Sequence, residues 1–219
     1  LDLGMSSHQI DTAERGFAFM KDGPLDMRLG GAQSTSPFTA ADICNEFDAT
    51  EVSRILKKYG DEPRARRIAE SICKHRPLWT TSDLVQAVAA VTPEFAKKGR
   101  RMGRTATLAR VFQALRIFVN DEEKVLEDAL LEMAPALLKP GGRLVVLTYH
   151  SMEDRATKRV LRDGSIHQVA TRHKEKDIYG NYNGEPLPFR PKEKARKATP
   201  EEIERNSRAR SATLRVGVR

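Results

Sequence analysis

Two stretches of the chain concentrate side chains that could do chemistry. One runs from Asp2 to Gln9 through Ser6, Ser7 and His8; the other runs from Tyr149 to Arg155 through His150, Ser151, Glu153 and Asp154. Each comes after a short apolar run that reads as a strand, and in open α/β sheets ligands bind beyond the carboxyl ends of the strands. An acidic residue at such an end can hold a cofactor's amine or hydroxyls, or accept a hydrogen bond from a substrate amine. The structural alternative is a helix cap or a loop anchor. Asp26 and Arg28, in a long loop, join His150, Ser151, Asp154 and Arg155 as the substrate-side candidates. Arg28 and Arg155 could grip a phosphate or pair with carboxylates. Asp154 and Arg155 open a helix and could each pair elsewhere, and His150 could simply fix its loop.

Other chemistries lack their residue sets. Ser6, Ser7, His8 and Asp11 supply the residue types of a hydrolytic triad, but closeness in sequence is not triad geometry, and there is no Gly-x-Ser-x-Gly elbow. Nothing near His167 and His173 completes a zinc set, so no metal is expected. No phosphate-loop sequence is present.

The elements that must position these residues can be read from punctuation and period. The chain opens Leu1-Asp2-Leu3-Gly4, which reads as the end of a buried strand whose beginning precedes Leu1. Residues 11–38, broken by Gly16, Gly23-Pro24, Gly30-Gly31 and Pro37, read as a loop long enough to be functional. Val52, Ile55, Leu56 and Tyr59 predict a helix stopped by Gly60; Ala65, Ile68, Ala69 and Ile72 predict another. Thr81 or Ser82 can cap a third, carrying Leu84, Val85, Val88 and Val91, and Leu108, Val111, Phe112, Leu115 and Val119 mark a fourth. Residues 40–119 therefore form a helical unit. Asp121 to Leu138 predicts a helix with Val125, Ala129, Leu130, Met133 and Leu137 on its inner face, ended by Pro140-Gly141-Gly142. Arg143 to Tyr149 is nearly all apolar, as in a parallel strand covered on both faces. Residues 152–163 read as a helix with Ala156 and Val160 inward, 165–200 as irregular, and Ser211 to Val218 as a half-buried strand showing Ala212, Leu214, Val216 and Val218. The order implies an α/β sheet with a helical insertion.

Composition bounds the function. The chain has 219 residues and a net charge of +8. The surplus sits in the C-terminal third, where residues 153–219 carry 17 Lys+Arg against 10 Asp+Glu. A solvated surface explains this; a phosphate-rich partner is the sharper reading. Apolar runs such as Leu144–Leu147 are far too short to span a bilayer. Cys44 and Cys73 cannot supply a disulfide framework and read as small buried hydrophobes.

Long ordered blocks carry a resemblance. Leu1-Asp2-Leu3-Gly4-Met5-Ser6-Ser7-His8-Gln9-Ile10-Asp11, then Glu14-Arg15-Gly16-Phe17 and Asp22-Gly23-Pro24-Leu25-Asp26-Met27-Arg28, resemble the bacterial-type ribosomal RNA cytosine-N4 methyltransferases (RsmH, also called MraW). So do Tyr59-Gly60-Asp61-Glu62, Phe112-Gln113-Ala114-Leu115-Arg116-Ile117 with Val119-Asn120, Pro140-Gly141-Gly142-Arg143-Leu144, His150-Ser151-Met152-Glu153-Asp154-Arg155 and Ser207-Arg208-Ala209-Arg210-Ser211-Ala212. Met152 stands where Leu is usual in the family, and Arg101-Met102-Gly103-Arg104 also departs from its pattern.

The resemblance implies a Rossmann-like S-adenosylmethionine-dependent methyltransferase sheet, here without its first strands, interrupted by an all-helical domain. Residues 1–39 would be the end of strand four and an active-site loop, 40–119 the insertion, and 120–219 the rest of the core with a basic irregular segment. The family's cofactor contacts transfer to Asp2 and Gln9; its glycine-rich loop and ribose-binding acid lie upstream of Leu1. The implied substrate is the exocyclic N4 of a cytidine in small-subunit ribosomal RNA, in a bacterial cytoplasm or a bacterial-derived organelle. A non-catalytic RNA-binding remnant, or an enzyme acting on another nucleic acid, are the alternatives.

Overall fold

The computed structural model describes residues 1–94, 103–167 and 187–219. His173, Arg101 and Met102 lie outside the described residues, as does the middle of the stretch expected to be irregular. The chain divides into two compact units: Met5–Glu122, and Leu1–Gly4 together with Glu123–Arg219.

The first unit is helical. It contains α1 (Ser7–Asp11), α2 (Ala40–Glu46), α3 (Ala49–Gly60), α4 (Ala65–Lys74), α5 (Thr81–Ala89) and α6 (Arg104–Val119). Reciprocal capping boxes start α2 at Thr39 and Asp42, α3 at Asp48 and Glu51, and α5 at Thr80 and Asp83. The cap of α5 is thus Thr80 and not Thr81 or Ser82; Thr81 is buried and donates to the Lys21 carbonyl at 2.8 Å. Gly60 does not stop α3 by its own conformation. The left-handed residue is Asp61, at φ 47°, and Gly60 is small because a Cβ there would lie 2.7 Å from the Arg110 carbonyl on α6. The expected apolar faces of α3 to α6 are buried except for the half-buried Tyr59, Val85 and Val91, and Glu62, wholly buried, pairs with Arg110 at 2.7 Å. Residues 5–39, grouped with the sheet in the sequence reading, fall within this unit: Phe17, Leu25 and Met27 join its core.

The second unit is an α/β layer. A helical run passes from α7 (Glu122–Asp128) through a π turn (Ala129–Met133) into α8 (Ala134–Leu137). Then come β1 (Arg143–Thr148), α9 (Ser151–Asp163), the short β2 (Arg190–Pro191) and β3 (Arg196–Lys197), α10 (Pro200–Arg205) and β4 (Thr213–Val218). β4 pairs antiparallel with β1 on one edge and with β2 and β3 on the other. Residues 1–3 pair parallel with β1: Leu147 N donates to Leu1 O at 2.9 Å, and Leu3 N to Leu147 O at 3.1 Å. Among the described residues the sheet is therefore mixed.

Two sequence expectations for this unit need correction. The 121–138 run carries two adjacent stripes at four-residue spacing, and the buried one is Leu126, Leu130 and Ala134. Of the expected face only Leu130 is fully buried, whereas Val125, Met133 and Leu137 are exposed. Second, β1 is not covered on both faces. Leu144, Val146 and Thr148 are buried, whereas Arg143 and Val145 are exposed. The half-buried character expected of the last strand holds, with Ala212 and Val216 buried, and β4 meets α9 through Arg215 and Gly217. Arg215 pairs with Asp154, and a Cβ at Gly217 would collide with Leu161. The unit's core adds Phe189, fully buried, to Ala156, Val160 and Leu161.

Candidate functional site

In the α/β unit the candidates gather at the carboxyl end of β1. Parallel pairing places Asp2 opposite Leu147, so its side chain emerges on the same sheet face, just short of Tyr149. The Tyr149 hydroxyl donates to Asp2 Oδ1 at 3.1 Å. Burial and this carboxylate together raise the phenol above its ordinary pKa. The second Asp2 oxygen has no partner among the described residues, and the residue is exposed.

Glu153 organises the turn from β1 into α9. It is buried; Oε2 accepts from Tyr149 N at 2.8 Å and His150 N at 3.4 Å, while Oε1 lies 2.8 Å from His150 Nε2. It satisfies backbone donors at the start of α9, where His150 is the N-cap. Asp154 receives Arg215 Nε at 2.8 Å and Nη2 at 2.9 Å, which ties α9 to β4. Ser151 and Arg155 are exposed in the first turns of α9.

In the helical unit, Ser6 and Gln9 form the capping box of α1: Gln9 Oε1 accepts from Ser6 N at 2.9 Å. The Gln9 amide nitrogen has no partner among the described residues. Asp26 and Arg28 are joined side to side, Nε to Oδ1 at 2.7 Å and Nη2 to Oδ2 at 2.8 Å. Arg28 holds the Asp26 carboxyl below its ordinary range, and Asp26 raises the guanidinium in turn. Around them the loop is tied down. Asp26 O accepts from Ala40 N at 2.9 Å, and Gly16, at φ 70°, lies so close to the Pro24 carbonyl that a Cβ would not fit.

The structure thus brings Asp2 beside Tyr149, places His150, Ser151, Asp154 and Arg155 along one helix start, and pairs Asp26 with Arg28. Asp2 and Gln9 belong to different units. Sequence reasoning missed Arg215 and the supporting role of Glu153. Glu153 was detectable as an acidic residue three positions into a helix; Arg215 has no local signal, because its partner is 61 residues away.

A model of the MraW methylase family matches residues 1–219. Proteins named ribosomal RNA small subunit methyltransferase H are similar along the whole chain. The one from Cytophaga hutchinsonii is 44% identical over 221 residues, covering 100% of this chain and 68% of its own length. That from Magnetococcus marinus is 45% identical over 230 residues, covering 99% and 67%. That from Bartonella henselae is 46% identical over 224 residues, covering 100% and 60%. The chain spans 60% to 68% of the length of these relatives. A match running from the Asp2 strand end to the final strand leaves no part of the chain unassigned: it belongs to the MraW methylase family.

Proposed function

We propose that this protein acts in S-adenosylmethionine-dependent methylation of the exocyclic N4 of a cytidine in small-subunit ribosomal RNA, on a Rossmann-like core, in a bacterial cytoplasm or a bacterial-derived organelle. The observation that carries the reading is the similarity of the entire chain to relatives named for small-subunit ribosomal RNA methylation. Among the described residues no helix is long and apolar enough to cross a membrane.

The residues fit the cofactor. Asp2 is an exposed carboxylate at a strand end with one oxygen open, suited to accept hydrogen bonds from a cofactor amine or hydroxyl. Gln9 offers an amide on the first turn after that strand's loop. S-adenosylmethionine, when bound, supplies an electrophilic methyl group. The chain's own task is positioning and charge stabilisation. Cytosine N4 is a weak nucleophile because its lone pair is delocalised into the ring, so an acceptor near its N–H groups would help as positive charge develops. Asp26 and Asp154 have both oxygens engaged by arginine, which leaves them poorly suited to that task. They serve instead as anchors. His150 and Ser151 remain the substrate-side candidates of the α/β unit, with Arg155 placed to meet RNA phosphate.

The test is methyl transfer from labelled S-adenosylmethionine to small ribosomal subunits, using a protein of the relatives' full length. Label in cytidine N4 is expected; label elsewhere, or none, refutes the reading. The 219-residue chain by itself is expected to bind the cofactor more weakly than micromolar, since it spans only 60% to 68% of the relatives' length. Calorimetry checks this, and a micromolar constant would overturn that expectation.

A further inference from the structure

The turn that carries Asp26 and Arg28 is held more firmly than a surface connection requires. Met27, between them, has φ 61° and a fully buried side chain. A bulky residue is disfavoured in this region and persists there only where its surroundings impose the conformation.

Two side chains impose it. Asn120, just beyond α6, donates through Nδ2 to Met27 O and to Arg116 O, both at 2.8 Å, and accepts from Leu29 N at 2.7 Å. Arg15 donates through Nη2 to Arg28 O at 3.0 Å and Leu29 O at 2.6 Å, and its own carbonyl accepts from Met27 N at 3.2 Å. The Phe17 ring, 5.7 Å from the Arg15 guanidinium, supports that side chain. From Met27 to Leu29 the backbone polar groups are thus engaged by Arg15 and Asn120 from outside the turn, except Arg28 N, which donates to Asp26 Oδ1 at 3.0 Å.

The result is a fixed Arg28. Asp26 takes its Nε and one Nη2 hydrogen, leaving the outer edge, Nη1 and the second Nη2 hydrogen, without a partner among the described residues. Its side chain is 24% exposed. Because Asp26 offsets much of its charge, what this arginine offers is direction: two coplanar donors locked by a carboxylate behind them. Asp42, the other carboxylate whose field reaches Arg28, is engaged by Thr39 N and Oγ1, each at 2.7 Å.

We propose that Asn120 and Arg15 are positioning residues that hold this turn so that Arg28, braced by Asp26, presents a two-donor edge to a pair of acceptors on the RNA substrate. The acceptors are two phosphate oxygens or the O6/N7 edge of a guanine, which offer the same geometry. The inference rests on the RNA methylation reading above.

The test uses the protein at its relatives' full length, with small-subunit RNA and S-adenosylmethionine. Arg28→Ala is expected to raise KM for RNA about ten- to a hundred-fold, with cofactor affinity unchanged and the melting temperature lowered by no more than about 4 °C. Arg28→Lys does not restore it, since an ammonium lacks the planar fork. Asn120→Ala also raises KM, and the double variant is no worse than Arg28→Ala alone, because the asparagine acts through the arginine. If Asn120→Ala fails to fold, Arg15→Gln takes its place in the same cycle. A flatter salt dependence in Arg28→Ala identifies phosphate as the acceptor; a loss confined to one RNA sequence at unchanged slope identifies the base edge. Either result supports the clamp. Unchanged KM in Arg28→Ala, full rescue by lysine, or additive losses in the double variant overturn it. A wild-type protein that neither binds nor methylates this RNA overturns instead the functional reading beneath it.

Discussion

At the end of the parallel strand pair, Asp2 shares one oxygen with the Tyr149 hydroxyl and leaves the other open. In the loop of the helical unit, Asp26 gives both oxygens to Arg28 and also accepts from the Arg28 backbone at 3.0 Å. Both carboxylates sit in polar clusters that the sequence marks equally, yet their remaining capacity differs. A carboxylate already held by a guanidinium fork is a structural part; one held by a single hydroxyl can still take a ligand. Asp154, gripped by Arg215, belongs with Asp26 although it lies in the same unit as Asp2. The distinction comes from what each carboxylate touches rather than from where it stands in the chain.

The largest effect is expected at Asp2. In a full-length protein, Asp2→Ala should weaken S-adenosylmethionine binding by about ten- to a hundred-fold, the cost of about 1.5–3 kcal/mol for one charge-assisted hydrogen bond. Stability should change by no more than about 0.5 kcal/mol, as at other exposed positions. Calorimetry and urea unfolding read the two quantities separately. Unchanged affinity with collapsed turnover would move Asp2 from cofactor ligand to acceptor for the substrate amine.

Asp154→Ala should do the reverse. Removing it leaves a half-buried Arg215 without its partner and unties α9 from β4, at a cost of about 2 kcal/mol in unfolding free energy. Cofactor affinity should persist in the folded fraction. A variant as stable as wild type but inactive would show that Asp154 acts on substrate after all.

Much of the helical unit was legible because its signals are local. Four-residue stripes mark α3 to α6, helped by caps at α3 and α5, and each apolar face has one side to choose. The 121–138 run defeated the same reasoning because Val125, Met133 and Leu137 form a second stripe beside Leu126, Leu130 and Ala134, and period alone cannot select between adjacent stripes. The sidedness of β1 was hidden for a related reason: Val145 and Val146 are chemically alike, and only neighbours decide which is covered. At the site, the residue types were readable but the pairings were not. Asp26–Arg28 lies within a turn and could be guessed, whereas Arg215–Asp154 and Asn120–Met27 join positions 61 and 93 residues apart.

A smaller effect is expected where charge alone is at stake. Arg190, Lys192, Lys194, Arg196 and Lys197 are all exposed on the outer edge of β4. From Pro191 to Arg196 this edge advances five residues while β4 moves three, from Gly217 to Leu214, so the Lys194 region bulges from the ladder. Arg196 pairs with Glu193, leaving the lysines as the better phosphate contacts. Replacing Lys192, Lys194 and Lys197 with Gln in a full-length protein should flatten the salt dependence of RNA binding by about two units of log K per log salt, for all RNA sequences alike. An unchanged slope would make the edge a solvated surface only.

The smallest effect tests the engaged carboxylate itself. Because Arg28 lowers the Asp26 pKa from its ordinary 3.8, the folded protein keeps this group ionised where the unfolded chain has begun to protonate it. The unfolded state then binds more protons, so stability rises with pH across this interval. The contribution is complete above the ordinary pKa and is lost as pH falls through the lower folded-state value. The pair is partly open to solvent, with side chains 24% and 26% exposed, so the whole effect should be about 1 kcal/mol or less. Other carboxylates titrate nearby, Asp22 and Asp83 among them, both also lowered by hydrogen bonds. The informative quantity is therefore the difference between wild type and Asp26→Asn. That difference in unfolding free energy should be constant above about pH 5 and shrink below the ordinary carboxylate range. A difference that stays flat to acid would mean that Arg28 does not hold Asp26 in solution, and Asp26 would then rejoin Asp2 as a carboxylate with capacity for a ligand.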